Sequence, residues 1–167
     1  LDSEKYLIAA GISTTFLTMI FWSFGFLRMG TVGLISQALG KADYRELAYI
    51  MIRNIFIAIF VSFLIIISKP ILIHFLGLIF ETSIETKQLI EKYISIRVFS
   101  APAELTIYVL VGFYLGVQRT LISSLLIIIL SLLNILLSVY FVTELNLNII
   151  GVALGTLLAA YLTAISF

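Results

Sequence analysis

Residues 121–142 read LISSLLIIILSLLNILLSVYFV, a run with no charged side chain. A helix needs about 20 mainly apolar residues to cross a hydrocarbon core about 30 Å thick, and this run supplies them. The same pattern recurs on both sides of it. Residues 6–38, 47–68 and 93–117 precede it, and residues 147–167 follow. Five spans are therefore expected, the first continuing as helix past Leu27 to Ala38. Transmembrane strands would show alternating segments of about ten residues, and the sequence has none. The fold class is all-α, a polytopic transmembrane helical bundle.

Composition agrees. Of 167 residues, 62% are hydrophobic and 11% charged, whereas a soluble domain carries about 45–50% apolar and about 25% charged residues. A net charge of +1 gives no electrostatic basis for binding nucleic acid. The absence of cysteine excludes disulfides and thiolate metal sites, and a single histidine, His74, argues against a histidine-built metal centre. No nucleophile–base pair, phosphate loop or dinucleotide fingerprint is present, so the chain does not read as an enzyme and calls for no cofactor. Leu1-Asp2-Ser3-Glu4-Lys5 lacks the basic n-region of a signal peptide. Both ends read as cut, as in an interior portion of a longer protein.

The connections Gly40 to Glu46, Gln118 to Thr120 and Thr143 to Asn146 are short and polar, which predicts antiparallel neighbours running up-down-up-down-up. Lys69-Pro70 closes the second span, because proline disfavours continued helix. Ile71 to Phe80 is too short to cross, and either extends the second helix or lies at the interface. Thr82-Ser83 followed by Glu85 reads as a helix N-cap. Arg28, Lys41, Arg45, Arg53 and Arg119 fall on one side, and Lys5, Lys69, Lys87 and Lys92 on the other. By the positive-inside rule, this margin favours a cytoplasmic Lys41–Arg45 loop.

Polar groups inside spans are costly in lipid and normally face the bundle interior or a wet cavity. Glu104 is the sharpest case, a carboxylate well inside the third span. Arg97 precedes it by two turns on the same face. Two readings stand side by side: Glu104 as a cavity-facing proton or cation group, or as a structural ion pair with Arg97 or another helix. Asn134 and Ser138 share one face of the fourth span, with Ser131 nearby. They read as cation or substrate contacts or as interhelical hydrogen bonds. Thr156 and Tyr108 complete the candidates. Tyr93, Tyr108, Tyr114 and Trp22 read as belt or cavity-lining residues, with depth favouring a belt role for Tyr93 and leaving Tyr108 open. Gly11, Gly25, Gly30 and Gly33 are packing or flexibility sites. Gly112 and Gly116 have the spacing that permits close helix approach.

Phe26-Leu27-Arg28-Met29-Gly30-Thr31-Val32-Gly33-Leu34 and Gln37-Ala38-Leu39-Gly40 resemble the end of the second helix in MATE (multidrug and toxic compound extrusion) transporters, closest to the DinF-like branch. Arg97 to Ala103 resembles that branch's Arg–small–Ala–Pro–Ala stretch in the fourth helix, and Gly112 to Thr120 its end and following turn. Leu133-Asn134-Ile135-Leu136-Leu137 resembles the fifth helix, and Gly151 to Thr156 the sixth. The resemblance covers essentially the whole chain. It implies helices two to six of a twelve-helix antiporter, most of an N-terminal six-helix lobe in the inner membrane. Such proteins exchange H⁺ or Na⁺ for small organic cations and drugs by alternating access.

The family's first helix carries an Asp central to cation coupling, and that helix and the second lobe lie outside this sequence. The family's fifth-helix Asn is matched by Asn134, but Ser138 stands where an Asp is common. Thr156 falls at a cavity-lining position. Glu104 replaces a small or apolar residue, which raises the expectation that it supplies the carboxylate Ser138 lacks. Two other functions compete: a lipid or lipid-linked oligosaccharide flippase of the same superfamily, and a non-transporting membrane scaffold.

Overall fold

The computed structural model describes residues 2–79 and 83–167. Its helices are α1 (Asp2–Ser23), α2 (Phe26–Gly40), α3 (Tyr44–Ile67), α4 (Lys69–Ile79), α5 (Ile84–Arg97), α6 (Ala101–Gly116), α7 (Thr120–Thr143) and α8 (Asn148–Ser166). A 3₁₀ turn at Val98–Ser100 joins α5 to α6. No strand occurs among the described residues. Five stretches are long and apolar enough to cross a bilayer: Glu4–Gly40, Tyr44–Ile67, Ile84–Gly116, Thr120–Thr143 and Asn148–Ser166. The chain is a multi-pass helical membrane protein.

Three boundaries depart from the pattern of hydropathy. The first span is not one helix but breaks at Phe24-Gly25 into α1 and α2. The third begins at Ile84 rather than near Tyr93. Its polar first turns stay helical because the Ser83 side chain accepts the Thr86 N–H at 3.3 Å, capping an otherwise unsatisfied donor. Glu81 and the Thr82 half of the expected cap lie outside the described residues. Ser83→Ala should therefore destabilise the full-length protein by about 1 kcal/mol, read as a lower unfolding midpoint in detergent. Residues 69–79 form a separate helix after a turn at Ser68, with Pro70 in the first turn, where its missing N–H costs nothing.

The α5–α6 span is the centre of the bundle. Within its most apolar stretch 56% of residues are buried, against 6% for α7. α1 packs on α5 and α2 on α6, so these two long spans run parallel. α8 lies along both α5 and α6, and α7 packs chiefly on α8. Phe141 meets Gly151 and Ser138 meets Gly155, so residue numbers rise on one helix as they fall on the other and the pair is antiparallel. α3 returns along α2, where Asn54 donates to Thr31 Oγ1 at 2.9 Å. The up-down-up-down-up order follows. The lone face of α7 carries Leu132, Ile135 and Leu136, all exposed, as suits a lipid-facing helix.

Two glycine pairs set the closest approaches. A Cβ at Gly112 would lie 2.6 Å from Arg28 O, and one at Gly116 would lie 2.6 Å from Ile35 Cβ, so α6 meets α2 nearly backbone to backbone. Gly151 and Gly155 do the same for α8 on α7. Nothing lies within 4 Å of the Cβ positions of Gly11, Gly30 and Gly33. They are not packing sites within this chain, and only the first pair was singled out by its spacing. Gly112→Leu should separate α2 from α6 and lower the yield of folded full-length protein, measured by size-exclusion chromatography.

Candidate functional site

The α7–α8 seam brings three of the candidates together. Asn134 Oδ1 accepts from Ser138 Oγ at 3.1 Å, one turn along α7, and from Thr156 Oγ1 at 3.0 Å across the seam. The Thr156 hydroxyl has a second acceptor, Val152 O, also at 3.0 Å, and its one proton serves either. The contact is possible because Gly155 lets the helices close. A Cβ there would sit 2.5 Å from Ser138 Oγ and 2.6 Å from Ser138 N. Asn134 Nδ2 has no partner among the described residues. All three side chains are half-buried. Asn134 is nine residues from the end of α7 and Thr156 eight from the start of α8, about 12–14 Å at 1.5 Å per residue. With the helix ends at the two faces of a hydrocarbon core about 30 Å thick, that distance is near its middle. Ser131 is not part of this group. It is exposed and donates to Ile127 O at 2.9 Å.

The other candidates gather on α5 and α6. Arg97 donates to Ser100 Oγ and forms an ion pair with Glu104, Nη2 to Oε1, at 2.5 Å. Arg97 is 8% exposed and Ser100 fully buried. A buried guanidinium is tolerated only when paired and hydrogen-bonded, and this one is both. Glu104 is therefore ion-paired with Arg97, one of the two arrangements its position allowed. Its partner among the described residues is Arg97, and no hydrogen bond or ion pair joins it to Ser138 or Asn134. Tyr108, one turn beyond Glu104, lines a groove of about 320 Å³ with Trp22, Gly25, Arg28 and Met29. The candidates thus divide into a neutral triad and a charged pair.

One tyrosine departs from its expected place. Tyr93 is 1% exposed and shares a hydrogen bond with Thr14 at 2.9 Å, so it is a core residue and not part of a belt. Tyr114 donates to Phe167 O at 3.2 Å. The buried Asn54–Thr31 bond was missed in the sequence, since a lone Asn in an apolar run gives no hint of its partner on another helix.

A model of the MatE family matches residues 1–140. The chain belongs to the MatE family. MatE members are transporters and not enzymes. The chain is 34% identical over 163 residues to DNA damage-inducible protein F of Escherichia coli (strain K12), covering 98% of this chain and 36% of that protein. It is 35% identical over 80 residues to the uncharacterized transporter YisQ of Bacillus subtilis (strain 168), covering 46% of this chain and 18% of that protein. The chain thus spans about a third of the length of the first of these relatives and less of the second. Two solved structures share the fold. One is an inward-facing multidrug resistance MATE family transporter of the MOP superfamily, with TM-score 0.88 and 21% identity over 96% of this chain and 37% of that one. The other is an outward-facing conformation of such a transporter, with TM-score 0.84 and 23% identity over 96% and 36%. The DinF-like resemblance and the MATE fold are both established for this MatE chain.

Proposed function

We propose that this MatE chain is most of the N-terminal lobe of an inner-membrane antiporter that exports small organic cations in exchange for H⁺ or Na⁺, with Asn134, Ser138 and Thr156 lining its ion and substrate cavity. One observation carries the reading. At mid-membrane depth, two hydroxyls from two helices, Ser138 and Thr156, converge on the amide oxygen of Asn134. Hydroxyl and amide oxygens are hard donors suited to Na⁺ or to a cationic substrate, and polar groups at this depth mark transport pathways. A complete site needs an acid as well. With Glu104 held by Arg97, that acid comes from the helices beyond this sequence, where the family resemblance places an Asp. Alternating access then follows from ion and substrate favouring different lobe arrangements. The Lys41–Arg45 loop faces the cytoplasm.

The flippase reading fares worse. Its anionic pyrophosphate substrates need unneutralised cations in the cavity, and the buried Arg97 is neutralised by Glu104. A scaffold has no use for a half-buried polar triad at the bilayer centre.

Efflux of a fluorescent organic cation from everted vesicles bearing the full-length protein tests the proposal. A proton gradient and a sodium gradient are imposed separately. Efflux accelerated by one of them is expected, and efflux that responds to neither contradicts it. In the same assay Ser138→Asp, which adds a carboxylate beside Asn134, should raise sodium affinity and leave the maximal rate within a few-fold of the parent.

A further inference from the structure

The two longest spans, Glu4–Gly40 and Ile84–Gly116, are each interrupted. In the first, the turn is closed by short-range bonds: Phe24 N–H to Phe21 O at 3.0 Å, Gly25 N–H to Trp22 O at 2.9 Å and Leu27 N–H to Phe24 O at 3.0 Å. In the second, Pro102 has no N–H to give to Val98 O, and Ala101 N–H donates to that carbonyl instead. Both interruptions are tightenings to the 3₁₀ form rather than unwound loops. Such tightenings bend a helix without stranding its carbonyls in lipid. α1 packs on α5 and α2 on α6, with Thr14 against Tyr93 and Arg28 against Gly112, so the interruption at Phe24-Gly25 lies more than a turn further along its span than the one at Val98–Ser100.

One side chain reaches the edge of each, since Phe21 O accepts the first short bond of the α1–α2 turn. Arg97 is the last residue of α5. It donates to Ser100 inside the turn and pairs with Glu104 in the first turn of α6, so its ion pair straddles the interruption. Its guanidinium carbon also lies 5.6 Å from the centroid of the Phe21 ring on α1, three residues before Phe24. Phe21 is 2% exposed, so the ring has no freedom to leave. A cation over an aromatic face is attracted most strongly when both are desolvated. A pair that only neutralised a buried charge would tie α5 to α6 and nothing else.

The geometry points to Arg97 as a positioning residue that fixes two bends at once, that of α5–α6 through Glu104 and that of α1–α2 through Phe21. The assignment concerns the shape of the lobe and stands apart from the transport reading.

The test is distance measurement by pulsed electron–electron resonance on the full-length protein in nanodiscs. One nitroxide pair spans the α5–α6 bend, at Ile84 and Leu121. A second spans the α1–α2 bend, at Glu4 and Lys41. A control pair, Leu121 and Tyr140, reads α7 alone. All these side chains are exposed. Arg97→Met should broaden both bend distributions and leave the control unchanged. Phe21→Leu should broaden only the α1–α2 pair. Arg97→Glu combined with Glu104→Arg should narrow the α5–α6 pair again, since opposite charges are restored. If Arg97→Met leaves the α1–α2 distribution as in the parent, the proposal is overturned. Should that variant fail to fold, Phe21→Leu decides alone, and an unchanged α1–α2 distribution overturns it equally.

Discussion

Gly155→Ala is expected to abolish cation efflux by the full-length protein and to lower its unfolding midpoint. The added Cβ would lie 2.6 Å from Ser138 N and 2.7 Å from Ser138 Cα. These are backbone atoms of α7, so no rotamer change relieves the contact. The helices must move apart, and inserting a methyl into a packed interface of this kind costs roughly 1–3 kcal/mol. The functional loss exceeds the loss of stability because of geometry. The Thr156-to-Asn134 bond is 3.0 Å long, and a shift of less than 1 Å takes it out of hydrogen-bonding range. The mutation thus dismantles the triad from outside it. Efflux assays on everted vesicles, together with thermal unfolding of the purified protein, check both halves. Gly11→Ala is the matched control, since its Cβ position is open, and it should change neither.

Asn134→Ala separates function from stability in the opposite way. The substitution removes the acceptor shared by Ser138 and Thr156, yet Thr156 retains Val152 O at 3.0 Å. Hydrogen bonds between membrane helices contribute on average about 0.6 kcal/mol and at most about 1.7. The unfolding midpoint should therefore move little. Efflux should fall at least about tenfold, because a lost ligand to a bound cation costs more than the roughly 1.4 kcal/mol that a factor of ten represents. The measurement is initial efflux rate at matched membrane expression. Parent-level efflux would remove Asn134 from the site. Thr156→Val should give a smaller loss in the same assay, since Asn134 and Ser138 remain bonded at 3.1 Å.

Much of the fold was legible because lipid imposes one dominant rule. Residues 121–142 read as a span from hydropathy alone, and the helix runs Thr120–Thr143. Where hydropathy misled, local backbone chemistry had the final say. The polar turns Ile84 to Lys92 are helical because Ser83 caps them, and the first span is interrupted because Phe24-Gly25 adopts short-range bonds. The Asn134–Ser138 contact was legible because i, i+4 spacing fixes it within one helix. Its partner Thr156 rested on a family resemblance, since spacing says nothing about which residues meet across a seam. The role of Gly151 and Gly155 escaped notice for the same reason. Spacing also placed Arg97 and Glu104 on one face. The 3₁₀ turn between them and the Phe21 ring beneath came from the three-dimensional packing alone.

The proposed site requires the triad to face water at the centre of the membrane. Single cysteines introduced at Asn134, Ser138 and Thr156, and at the lipid-facing Ile135 and Leu136, test it in a full-length protein otherwise free of cysteine. The described stretch needs no further change, as it contains none. A membrane-impermeant thiol reagent should label positions 134, 138 and 156, and saturating organic cation should protect them, while 135 and 136 stay unlabelled. Equal labelling at all five positions, or labelling at 135 and 136 alone, would contradict the account.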